Sequence, residues 1–124
     1  MLSILARFLF LLLVSNTAFS GNDIDNAVKY KLEFNRDKVH AGEVISLIAD
    51  LNILESFYVY SSNPEKSLSP TYIEWIDSSY FSTVGILQEP KPKTKYDPNF
   101  KMDIGYHTGQ VEFLQDLIIA DTIK

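Results

Sequence analysis

Residues 85–100 read Gly-Ile-Leu-Gln-Glu-Pro-Lys-Pro-Lys-Thr-Lys-Tyr-Asp-Pro-Asn-Phe, and residues 104–113 read Ile-Gly-Tyr-His-Thr-Gly-Gln-Val-Glu-Phe. Two prolines one residue apart, Pro90 and Pro92, stiffen a lysine-studded connection after a strand. Asp97-Pro98-Asn99-Phe100 is a turn by its chemistry. Asp caps the backbone, Pro fixes φ, and Asn tolerates the left-handed region. A strand restarts at Gln110. The order is strand, rigid linker, aromatic-tipped turn, strand, and nothing in it carries helical periodicity.

Working outward, the same β pattern recurs. Val28, Tyr30, Leu32 and Phe34 alternate with Lys29, Lys31 and Glu33, the period of a half-buried strand. Asn35 to Lys38 is a polar break. Leu47, Ala49, Leu51 and Ile53 then share one face, with Ile48 the exception on the other. Phe57-Tyr58-Val59-Tyr60 is dense in β-formers and ends at Ser61-Ser62-Asn63-Pro64. Short strands are expected at Thr71–Ile76, which carries Trp75, and at Thr83–Leu87. Val111, Phe113, Leu117 and Ile119 mark the last strand. Many short strands divided by Gly, Pro, Asn and Ser argue for an all-β sandwich.

Composition agrees with one packed domain. The chain has 124 residues, 46% hydrophobic and 13% aromatic, and no cysteine. The N-terminus stands apart. Arg7 precedes the apolar run Phe8–Val14, and Ala18-Phe19-Ser20 offers the small residues a signal peptidase reads. Residues 1–20 are therefore expected to be a signal peptide cleaved before Gly21, with residues 21–124 as the domain. A membrane anchor is the weaker reading, since a span needs about 20 apolar residues. The mature chain keeps ten basic and sixteen acidic residues, a net charge of −6. An acidic domain repels phosphate backbones, so nucleic acid is not an expected partner.

Candidate site residues each have two readings. Tyr58 and Tyr60 share a strand face, as a recognition surface or as an aromatic ladder. Lys91, Lys93 and Lys95 either meet an acidic partner or guard an exposed edge. Phe100 either tucks into the core or caps a pocket, and the pattern leaves both open. His40 and His107 lack metal-ligand spacing and read as surface or loop residues. No G-x-S-x-G element or glycine-rich phosphate loop is present, and the carboxylates are scattered.

Three segments together, Phe57-Tyr58-Val59-Tyr60-Ser61, Pro70-Thr71 and Gly85–Phe113, resemble the N-terminal domain of the thiol:disulfide interchange protein DsbD in its Bacteroidetes-like form. The resemblance spans roughly Val28 to Ile119. It implies an immunoglobulin-like β-sandwich, exported to the periplasm or otherwise outside the cytoplasm, and no cofactor or metal. It implies a protein-disulfide reductase role, taking electrons from a DsbD-type membrane domain and passing them to periplasmic thiol:disulfide proteins. By resemblance, Phe100 is the aromatic of a cap loop, Asp97 an acid in that loop, and Tyr58 and Tyr60 the tyrosines beside a cysteine pocket. In the family the cysteine pair lies on strands after the equivalent of Val111–Ile119. This chain stops at Lys124, so the sandwich is expected to lack its last strands, leaving Phe113 and Leu117 partly uncovered. Thiolate is the nucleophile of disulfide exchange. Without a thiol the chain alone is expected to be non-catalytic, as a fragment or a cysteine-free relative. The alternative is a non-enzymatic extracytoplasmic binding or adhesion module.

Overall fold

The computed structural model describes residues 27–67 and 69–120 in full, and the backbone of Ala6–Leu9 and Leu12–Val14. The expected cleavage site at Ser20/Gly21 lies outside the described residues. The strands are β1 (Ala6–Leu9), β2 (Leu12–Val14), β3 (Val28–Phe34), β4 (Val44–Ile53), β5 (Phe57–Tyr60), β6 (Tyr72–Trp75), β7 (Phe81–Gln88), β8 (Lys93–Asp97), β9 (Met102–His107) and β10 (Gln110–Ile119). A 3₁₀ turn, Pro64–Lys66, follows β5 and is capped by the Asn63 side chain. No helix among the described residues is long and apolar enough to cross a membrane.

The strands form an immunoglobulin-like β-sandwich. One sheet has the order β3-β4-β10-β7 and the other β2-β5-β9-β8; β1 pairs with β6 apart from both. Every pairing is antiparallel. The segments β1 and β2 fall inside the stretch that the sequence assigns to a signal peptide. They lie antiparallel to Tyr72–Trp75 and Phe57–Val59 respectively.

The core follows from period two. On β4, Ile45, Leu47, Ala49, Leu51 and Ile53 are buried, and on β10 so are Val111, Phe113, Leu117 and Ile119. Register sets large against small: Phe113 lies opposite Ala49, with Leu32 of β3 on Ala49's other side. Interdigitation of this kind fills the inter-sheet space at the density of a crystal. Strand β5 is buried on both faces. Phe57 and Val59 join the cluster around Leu51 and Phe113, while Tyr58 and Tyr60 join Ile104 in a separate cluster on the outer face. A third cluster gathers Ile45, Leu47, Phe81, Leu117 and Ile119, with Trp75 edge-on to Phe81 at 4.8 Å.

Three expectations need correction. Phe113 and Leu117 are not partly uncovered; both are 0% exposed. The reason is topological, because β10 is an inner strand held between β4 and β7. The lysine-studded connection is not all linker, since Lys93–Asp97 is an edge strand and Met102–His107 its inner neighbour. His107 is not a surface or loop residue but a buried one on β9, 5% exposed.

With no disulfide, removal of one large core side chain has nothing to offset it. Phe113→Ala is expected to cost about 3–5 kcal/mol, a large share of the ~5–15 kcal/mol typical of a domain. Urea denaturation followed by circular dichroism measures it. A loss below 1 kcal/mol would mean that Phe113 does not hold the core.

Candidate functional site: a tyrosine face and a buried carboxylate

The outer face of the second sheet is built by alternation. Tyr60 lies opposite Tyr106 on β9, and Lys93, Lys95 and Asp97 of β8 lie opposite Tyr106, Ile104 and Met102. All these side chains share one face. Tyr58 meets Tyr60 edge-on at 6.2 Å and Tyr106 at 5.2 Å. The Lys95 ammonium stands 4.0 Å above the Tyr58 ring and 5.1 Å from that of Tyr106, a cation–π arrangement. The lysine reading thus divides. Lys93 and Lys95 do sit on an edge strand, but Lys95 is also folded over the aromatic face.

Tyr60 is 2% exposed, and its hydroxyl has no hydrogen-bond partner among the described residues. Burial pushes its phenol pKa up, and the charges of Tyr58 and Asp97 add to the rise. A buried hydroxyl left unpaired costs about 1–3 kcal/mol, so this strand carries a polar atom that packing alone does not explain.

The turn at Pro98–Lys101 behaves as its sequence predicts, with one difference. Asp97 Oδ1 accepts from the Asn99 N–H at 2.8 Å and the Phe100 N–H at 3.3 Å. The left-handed residue, however, is Lys101 (φ 53°), not Asn99. Phe100 is 43% exposed and packs with none of the three apolar clusters. It does not tuck into the core. Of the four candidate residues, Tyr58, Tyr60 and Asp97 lie on one face, and Phe100 stands in the turn at the end of it.

Sequence reasoning missed a second constellation behind this face. Glu89 follows β7 at the crossover between the sheets, just before Pro90. Its carboxylate accepts from Ser61 Oγ at 2.5 Å, from the Ser62 N–H at 3.1 Å and from His107 Nε2 at 2.6 Å. Both side chains are largely shielded, 6% exposed for His107 and 13% for Glu89. Burial is the largest single influence on Glu89 and raises its pKa. The hydrogen bonds from His107, Ser61 and Ser62, with the charge of His107, outweigh it and leave the carboxyl below its usual range. An ionised Glu89 only accepts, so His107 carries its proton on Nε2. The imidazole packs edge-on to Phe113 at 5.4 Å, which ties the carboxylate to the core. The serine donates to the acid and is 0% exposed, so its hydroxyl is turned to the interior and not toward a substrate. The group acts as a structural staple.

The staple depends on close backbone approach. A Cβ at Gly105 would stand 3.1 Å from Ser61 Cβ and 3.3 Å from Lys66 Cβ, so a larger residue there would press β9 a few tenths of an ångström away from the Ser61 segment. Thr71 Oγ1 donates to the Tyr60 carbonyl at 2.7 Å and fixes the end of β5 from the other side. Among the described residues no group of three His, Cys, Asp or Glu is gathered to hold a metal.

A family profile described as thiol:disulfide interchange protein DsbD, N-terminal, matches residues 26–123. The chain belongs to the DsbD N-terminal domain family. No curated protein and no solved structure matches it. The DsbD N-terminal match covers both sheets from β3 to β10, the tyrosine face and the Glu89 staple. The 124 residues contain no cysteine.

The lowered pKa of Glu89 sets the sign of an acid effect. Between its folded and unfolded pKa values the unfolded chain binds the extra proton, so stability falls as pH drops through and below the carboxylate range. Glu89→Gln is expected to flatten this dependence. It also removes a charged acceptor at neutral pH, at a cost of about 1–3 kcal/mol. Urea unfolding of both proteins between pH 7 and pH 3 measures the two effects; parallel profiles would rule Glu89 out as the acid-sensitive group.

Proposed function

We propose that this chain serves thiol–disulfide interchange outside the cytoplasm as a docking module that transfers no electrons itself. The observation that carries this reading is the aromatic face of Tyr58, Tyr60 and Tyr106 under Lys95, within a family domain free of cysteine. Disulfide exchange proceeds by thiolate attack on sulfur, and this polypeptide offers no such nucleophile. What it does offer is a firm cluster of phenol rings, Tyr58 and Tyr60 buried and Tyr106 half-buried, with the exposed Phe100 at its end, of the residue type that dominates contact energy at interfaces.

In this reading Phe100 is the aromatic of a cap at the end of the face, and Asp97 orders that turn through its two backbone acceptances. The partners are extracytoplasmic thiol:disulfide proteins, and a DsbD-type membrane domain supplies the electrons in the interchange. The leader is a signal peptide, removed so that the mature chain begins at Gly21.

Three measurements test the proposal. Mass spectrometry of the exported protein is expected to show Gly21 at its N-terminus. The purified chain is expected to reduce a disulfide substrate no faster than buffer does. In an NMR titration with thioredoxin-fold proteins of the same compartment, shifts are expected at Tyr58, Lys95, Phe100 and Tyr106. Phe100→Ala is expected to weaken that binding about tenfold, equivalent to about 1.4 kcal/mol. Disulfide reduction by cysteine-free protein, or the absence of shifts with every such partner, would overturn the reading.

A further inference from the structure

The second sheet ends on a strand drawn from the leader. β2 lies along the outer side of β5, with Leu12, Leu13 and Val14 opposite Val59, Tyr58 and Phe57. β1 lies likewise along β6, which has no other strand partner among the described residues. The Thr71 N–H donates to the Ser61 carbonyl at 3.2 Å, so β6 and β5 meet end to end. Only two residues separate β1 from β2. One nine-residue stretch, Ala6–Val14, therefore supplies both strand partners of a single joined edge.

That edge needs a partner. The Ser61 N–H donates to the Gly105 carbonyl at 2.9 Å, on the β9 side. Antiparallel alternation then points the backbone groups of Val59 toward β9, and those of Tyr58 and Tyr60 the other way. The Tyr60 carbonyl is met by Thr71 Oγ1. Tyr58 is buried, and the residue opposite its N–H and C=O is Leu13 of β2. Buried backbone groups are almost always paired, so loss of the leader leaves Tyr58 and all of β6 short of a ladder. Ile73 and Trp75 pack β6 against the core, which keeps that half of the edge in place.

We propose that the joined β6–β5 edge is a strand-accepting site, and that its occupant in the exported protein is one extended apolar segment of a partner polypeptide. The proposal rests on the reading that the leader is removed before Gly21. The leader itself shows the chemistry that the edge takes. Eight of the nine residues Ala6–Val14 are apolar, and the ninth, Arg7, has Glu74 as its register partner. The occupant is therefore uncharged along β5 and carries a basic residue opposite Glu74, in a domain with an excess of acids. The lysine-bearing edge of the same sheet is β8, on the far side of β9. A strand seated on β5 leaves Lys93 and Lys95 open.

Two measurements test it. In the full chain, Leu13→Pro withdraws a backbone N–H from the β2–β5 ladder. Hydrogen exchange read by NMR is expected to speed at least tenfold at the Tyr58 amide and to stay unchanged at the Val59 amide, which faces β9. Unchanged exchange at Tyr58 would overturn the proposal. In the second, a fluorescent peptide of residues 6–14 with a C-terminal lysine tail is titrated into the exported protein. It is expected to bind and to slow exchange of the Tyr58 amide. The Leu13→Pro peptide, and the full chain whose own leader holds the edge, are each expected to bind at least tenfold more weakly. No binding to the exported protein, or equal binding of the two peptides, would overturn the proposal. The mass of the exported protein judges leader removal on its own, and the tyrosine-face partners are read at Lys95, Phe100 and Tyr106, so failure of either reading is distinct from failure of this site.

Discussion

Burial of one inner strand carries this fold. β10 lies between β4 and β7; its Phe113 is sealed from water in a cluster with Phe57 and Val59 of the other sheet, and its Leu117 in one with Ile73 and Trp75 of β6. A domain outside the cytoplasm is free to use disulfides, but this one has no sulfur to pair. Its cohesion therefore rests on apolar area, worth ~25 cal/mol per Å² removed from water. The opposition of Phe113 and Ala49 shows how that area is won, by fitting one large ring over one small residue.

The second dependence is electrostatic and sits at the crossover. A buried carboxylate is costly unless its oxygens are satisfied, and Glu89 has three donors from two different segments. It fastens the chain leaving β7 to the end of β5 and to β9. The two strands that carry the tyrosine face are thereby held in place by the same group. His107, bonded to Glu89 on one side and packed on Phe113 on the other, makes the link between this staple and the core.

Much of this was legible in the residues. β3, β4 and β10 declare themselves by alternation, because one face of each is wet and the other dry. β5 declares itself by β-formers alone, being buried on both sides. The hidden parts follow from physical causes. β8 is a strand written in lysine and threonine, since an edge strand needs charge more than apolar residues. Its inner neighbour β9 alternates Met102, Ile104 and Tyr106 against Asp103, Gly105 and His107, and the polar half obscures the pattern. His107 looks like a loop residue beside Thr108 and Gly109, and only the three-dimensional proximity of Glu89 explains its burial. Glu89 itself has no signal beyond its place before Pro90. The uncovered core expected at β10 came from the expectation that closing strands are missing, whereas β4, β7 and the residues packed over them already cover Phe113 and Leu117.

The placement of the single tryptophan has an optical consequence. Trp75 packs with Phe81 in the cluster around Leu117, away from the sheet on which Tyr58, Tyr60 and Tyr106 gather. Indole emission from this lone tryptophan therefore reports the integrity of the interior. Unfolding can be followed through it without any label.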